Sequence, residues 1–205
     1  MRTVWTLSAV AAGLWFVMFS PWTRDVVPFW PAMAFSSGVL ALAGLWLSRD
    51  ALGEVFAFRC WHVPVGAISA LVLYAMFFVG HKIAAAILPF ASDQVALVYR
   101  TRSQAELWLI AVLLFAWVGP AEEIFWRGYV QRRCGRRFGP LAGLVVTAAI
   151  YTLVHIWSFN LMLLAAAALC GLFWGAMFAL SRSVWPALIS HALWDVLIFV
   201  LLPVA

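Results

Sequence analysis

Apolar positions along the chain come in long unbroken runs rather than in the period-2 or period-3.6 alternation of a half-solvated element. A membrane-spanning helix needs roughly 20 mostly apolar residues. Runs of about that length occupy residues 4–19, 27–47, 63–80 (with an extension possible to 90), 140–159, 161–180 and 184–203, and a further run starts at 107 and enters Gly119-Pro120-Ala121-Glu122-Glu123. The pattern predicts an all-α, polytopic bundle of about seven spans, with residues 1–205 as a single integral membrane domain. The first run follows Arg2 and has the form of a signal peptide, but a second apolar run follows closely, so it reads as a retained span. Two stretches interrupt the pattern. Residues 48–62 carry Arg49, Asp50, Glu54 and Arg59 among Leu52, Val55, Phe56 and Phe58, the spacing of a helix lying in the interface. Residues 91–106 are polar and read as lying outside the hydrocarbon. His81 and Lys82, near the end of the third run, can snorkel toward headgroups.

Composition strengthens this picture. Of 205 residues, 66% are hydrophobic and 10% charged, against about 25% charged in soluble domains. So little polar surface cannot cover a soluble core, and lipid is the expected solvent. Thirteen Trp and sixteen Phe fit many membrane interfaces, where aromatic rings favour headgroup depth. The net charge of +5 does not point to nucleic acid, because Arg132, Arg133, Arg136 and Arg137 form one short basic loop of the kind that sets topology and meets anionic lipid. With the N-terminus inside, Arg2, Arg49, Arg59, these four and Arg182 are cytoplasmic, and Arg24, Arg100 and Arg102 lie outside. The positive-inside rule prefers that orientation, N-terminus in and C-terminus out, in a bacterial-type inner (plasma) membrane. Cys60, Cys134 and Cys170 are far apart, contain no C-x-x-C and read as structural filler.

The charged residues inside apolar runs are the chemistry to explain. Glu122, Glu123, Arg127, His155, His191 and Asp195 lie within or beside spans. A charged side chain at the bilayer centre costs roughly 2.5–3.5 kcal/mol on insertion scales, so the four formal charges approach ~10 kcal/mol before pairing. Either they pair or they carry chemistry. Glu123 and Arg127 are four apart with the acid first, the favourable order for a helical pair. Glu122 points about 100° away and is left to face another neighbour. Gly119-Pro120 fits either a fresh helix start, with both acids at its dipole end, or a simple kink. His155 shares a face with Tyr151, and His191 with Asp195; an imidazole with a carboxylate one turn on has its tautomer fixed. Gly171 and Gly175, four apart on the sixth run, permit close helix approach.

Two carboxylates and two imidazoles suit water activation and hydrolysis, and a carboxylate in an apolar pocket is a stronger base than one in water. No serine–lysine pair or nucleophile elbow accompanies them: Ser190 and His191 are adjacent and do not face each other, and Cys170 has no partner nearby in sequence. The same groups could ligate zinc or relay protons in a transporter.

The three motifs resemble those of the CPBP family, the type II CAAX prenyl endopeptidases and the bacterial abortive-infection membrane proteases. Glu122-Glu123 with Arg127 is similar to the family's Glu-Glu-x-x-x-Arg, Tyr151 with His155 to its Phe-x-x-x-His, and His191 with Asp195 to its His-x-x-x-Asn or Asp. The resemblance covers about residues 107–200, the motif-bearing half. It implies an intramembrane endopeptidase of glutamic type, without a cofactor, that hydrolyses a peptide bond of a membrane-anchored protein near its C-terminal tail. Glu122 and His155 would activate the water, His191 and Asp195 would stabilise the oxyanion or position substrate, and Glu123, Arg127 and Tyr151 would support them. Tyr151 replaces the usual Phe. Asp195 stands where the prenyl proteases use Asn, and an ionised Asp cannot donate to an oxyanion. Small size and motif form are also similar to myxosortase-like or exosortase-linked protein-sorting members.

Three rivals remain on the sequence alone. A zinc-dependent hydrolase would use His155, His191 and an acid as ligands. A proton-coupled transporter would be expected to show repeats or paired broken helices, and only one candidate break is present. A non-catalytic immunity or scaffold protein would not need every motif acid and histidine, and all are there. The partners expected are the bilayer and a membrane-associated protein substrate, with no nucleic acid; the oligomeric state is not legible.

Overall fold

The computed structural model of the chain describes residues 1–204, which are helical with no strand among them. The helices are α1 (Arg2–Phe19), α2 (Phe29–Leu47), α3 (Leu52–Val55), α4 (His62–Ile87), α5 (Ala91–Tyr99), α6 (Leu107–Phe138), α7 (Pro140–Val154), α8 (Leu161–Ser181) and α9 (Trp185–Leu201). Six of these elements are long and apolar enough to cross a membrane, and α9 is a shorter apolar helix. The expected bundle of about seven is therefore present, the last member being the least independent by length.

α6 is the central element, touching α2, α7, α8 and α9. One apolar core joins the two halves of the chain, from Val4, Trp15 and Met33 to Trp126, Trp174 and Ala187. Trp15, Trp126 and Trp174 are fully buried, so these tryptophans fill the protein interior rather than the headgroup belt expected from composition. Most of α4 faces outward with exposed aliphatic side chains such as Ile68, Leu71 and Ile83, as a lipid-facing helix should.

Three expectations are corrected and one open alternative is decided. Arg132, Arg133, Arg136 and Arg137 are not in a loop; they form the last turns of α6, and a single residue, Gly139, links α6 to α7. That linker requires φ = 91°, open to glycine, and Pro140 then starts α7 at the one helical position where a missing N–H is harmless. Residues 48–62 do not form one interfacial helix: a 3-10 turn at Arg49–Ala51 leads into the four-residue helix α3, and the segment is held by its backbone, the Val55 carbonyl accepting from Val184 N–H (3.0 Å) and the Phe56 carbonyl from the Trp185 indole (2.9 Å). Arg133 adds a bond to the Leu47 carbonyl (2.8 Å) and Arg136 a surface ion pair with Glu54 (3.1 Å), tying this segment to the arginine-rich end. At Gly119-Pro120 there is no fresh helix start, and of the two alternatives the local distortion is the one present. The helix widens to i→i+5 bonding over Leu114–Val118, which accommodates the proline ring, and then continues. Of the cysteines, Cys134 and Cys170 are buried as filler, but Cys60 is exposed.

Close helix approach depends on glycine. A Cβ at Gly119 would lie 3.2 Å from Ala192 N, so α9 backs directly onto α6 beside the two glutamates. A Cβ at Gly143 would collide with the backbone of Cys134 and Gly135 across the α6–α7 hairpin. Gly143→Val is therefore expected to lower stability by about 1–3 kcal/mol, the usual effect of overpacking, read as a fall in Tm in detergent; an unchanged Tm would show that the hairpin is looser than described.

Candidate active site

The charged residues divide into a buried support and a cavity wall. On α6, Glu123 is fully buried, and its Oε1 accepts from Arg127 Nη1 at 2.8 Å, the i, i+4 pair expected from the sequence. The same oxygen lies 2.8 Å from His191 Nδ1 on α9. One carboxylate oxygen thus holds a guanidinium from its own helix and an imidazole from another.

Arg127 is held by several neighbours through its two terminal nitrogens and the faces of its guanidinium. Its Nη2 donates to the carbonyl of Cys170 at 3.3 Å on α8. Its guanidinium carbon lies 5.1 Å from the Tyr151 ring centroid and 5.5 Å from that of Trp174, so aromatic faces from α7 and α8 flank the cation. Gly171 makes this possible, because a Cβ there would lie 3.3 Å from Ala148 and Tyr151 on α7. Gln131 Nε2 donates to the Gly175 carbonyl at 2.7 Å one turn further along. The close approach expected from Gly171 and Gly175 is present.

His191 is held between two carboxylates. Nδ1 meets Glu123, and Nε2 lies 3.5 Å from Asp195 Oδ2. The imidazole also stacks on Trp174, with ring centroids 3.7 Å apart and planes 18° from parallel. Asp195 was expected to fix the tautomer of His191; the shorter contact belongs to Glu123. An Nδ1–H donated to Glu123 leaves Nε2 as the nitrogen facing Asp195.

Glu122 faces away from this pair, as the 100° turn requires. It is buried, its Oε2 has no hydrogen-bond partner in the protein, and the Tyr151 phenol stands beside it. His155 sits just beyond the last turn of α7. Its Nδ1 is 2.8 Å from the Tyr151 carbonyl, one of the carbonyls a helix C-terminus leaves unpaired. Its Nε2 is 3.1 Å from Trp15 Nε1. An indole N–H only donates, so Nε2 is the acceptor and Nδ1 carries the proton. Trp15 was not anticipated from the sequence. It lies one turn before the end of α1, the depth at which interfacial tryptophans sit, so no local signal set it apart.

Glu122, Tyr151, His155, His191 and Asp195 all line one cavity of about 330 Å³, with Glu123 and Arg127 behind its wall. The four residues expected to act and the aromatic expected to support them are therefore brought together from α6, α7 and α9. Among the described residues no three His, Cys, Asp or Glu side chains gather in a set that could hold a metal ion.

Fold and cavity together are those of an integral membrane protein that encloses an acid–imidazole site among its spans. Residues 104–197, a little under half of the chain, match the family described as Type II CAAX prenyl endopeptidase Rce1-like. The match runs over nearly the stretch in which the three motifs were read. Comparisons with curated proteins and with solved structures gave no match.

Removing one partner from a buried ion pair leaves an uncompensated charge and costs about 3–5 kcal/mol. Arg127→Met is accordingly expected to destabilise the protein by that amount, measured by denaturant or thermal unfolding in detergent. A loss below ~1 kcal/mol, the range of exposed pairs, would mean the guanidinium does not hold the helices together.

Proposed function

We propose that the protein is a glutamic-type intramembrane endopeptidase that cuts a peptide bond in a membrane-anchored protein, close to that protein's C-terminal tail. The observation that carries this reading is the convergence of Glu122, His155, His191 and Asp195 on a single buried cavity, together with the family match over residues 104–197.

Glu122 is the general base. It has an oxygen not engaged by the protein, whereas both nitrogens of His155 are already bonded. Water attacks the carbonyl carbon as Glu122 takes its proton; the carbon–oxygen bond forms and the carbonyl electrons move to oxygen. Collapse of the tetrahedral intermediate breaks the carbon–nitrogen bond, and the proton on Glu122 passes to the departing amine. An imidazolium at His191 donates from both nitrogens, Nδ1–H to Glu123 and Nε2–H toward the oxyanion. Asp195, beside Nε2, keeps that ring oriented and needs no proton of its own for this role. His155, with its nitrogens taken up by Trp15 and the Tyr151 carbonyl, supports the cavity wall beside Glu122 rather than holding the water. The enclosing spans limit competing water and strengthen each of these interactions. The segment's family name points to prenylated C-terminal tails as one substrate class.

Glu122→Gln keeps the shape and removes the base. It is expected to reduce cleavage of a membrane-tethered reporter by at least ~10²-fold, the typical contribution of a positioned general base, with protein level unchanged. Cleavage at the wild-type rate by a normally accumulating Glu122→Gln protein would overturn the assignment.

A further inference from the structure

The cavity has a direction. Its deep end is Glu122, Cys170 and Trp174, and apart from the acid and imidazole groups its wall is mostly apolar. Its other end is made by Arg24 and Asp25 of the α1–α2 connection, Arg100 and Gln104 of the α5–α6 connection, and Asn160 at the start of α8. These connections share one end of the bundle, and Asp25 has a side chain 85% exposed there. Hydrogen bonds brace the rim: Trp30 Nε1 donates to the Thr101 carbonyl at 2.9 Å, and Asn160 Nδ2 to the Gln94 carbonyl at 2.7 Å. The residues lining the cavity include none from the opposite end, where Arg132, Arg133, Arg136, Arg137 and Arg182 cluster.

Arginine-rich ends stay in the cytoplasm. Resting on the protease reading above, we infer that the cavity opens to the outer face of the membrane and receives its substrate from there. The substrate class is then a membrane-anchored chain whose cleavable segment has already crossed the bilayer, entering as an extended apolar stretch past a polar rim. A cytoplasmic tail, however similar in sequence, cannot reach Glu122 without passing through the packed end formed by α3 and the arginines.

The chain carries a reference for the test. Cys60 is exposed beside the arginine-rich end, whereas Cys134 and Cys170 are buried. Asp25→Cys in a Cys60→Ser background reports the rim, and wild type reports the other face; Val26→Cys, at a neighbouring exposed position, serves if Asp25→Cys fails to accumulate. A membrane-impermeant maleimide is applied to intact cells and to inverted vesicles. Two single-span reporters carrying the same cleavable segment on opposite sides of the membrane are expressed in parallel.

The rim cysteine is expected to label in intact cells and Cys60 only in inverted vesicles, and only the reporter with its segment outside is expected to be cut. Rim labelling confined to inverted vesicles, or cleavage of the inward-facing reporter alone, overturns the inference. Cleavage of neither reporter overturns the protease reading and its substrate, while the labelling still decides which way the cavity faces.

Discussion

A single carboxylate oxygen, Glu123 Oε1, organises this bundle. It accepts from Arg127 on its own helix and from His191 on α9, both at 2.8 Å, inside a protein interior that excludes water. In such surroundings neither charge is tolerable alone, so the three groups and the helices that bear them must come together. Arg127 extends the constraint to α8 through the Cys170 carbonyl and to α7 through Tyr151. Four helices are thereby fixed by one ionic cluster, where apolar packing between lipid-solvated helices supplies little direction of its own.

The neighbouring acid has the opposite circumstances. Glu122 is one residue away in sequence and also buried, but it lines the cavity, whereas Glu123 lies behind the wall, bonded to Arg127 and His191. Adjacent glutamates on a helix face different ways, so a Glu-Glu pair can serve two ends: one secures the partner helices, the other is presented for chemistry. The widened turn before Pro120 and the absence of a side chain at Gly119 let α9 come close enough for His191 and Asp195 to meet this pair.

Much of this was legible in the sequence. The apolar runs gave the number and order of spans to within the shortness of α9. The i, i+4 spacings placed Glu123 with Arg127 and His191 with Asp195, and the cost of intramembrane charge marked the residues that line or brace the cavity. Hairpin geometry was not legible: the arginines looked like a loop because their charge hid a helix end that closes through Gly139 alone. Nor were contacts between distant segments. Nothing local to Trp15 reveals that its indole meets His155, 140 positions away, and nothing local to His191 shows that Glu123 lies nearer than Asp195. Helical period assigns faces within a span; which faces meet is decided by packing between spans.

The central claim is that two adjacent glutamates have separate tasks, Glu123 holding the bundle and Glu122 serving the cavity. Thermal unfolding of Glu122→Gln and Glu123→Gln side by side in detergent tests it most directly. The account predicts that Glu122→Gln unfolds at or above the wild-type temperature, since a functional charge is relieved of its burial, while Glu123→Gln unfolds well below it. Equal losses in the two variants, or the greater loss in Glu122→Gln, would contradict it.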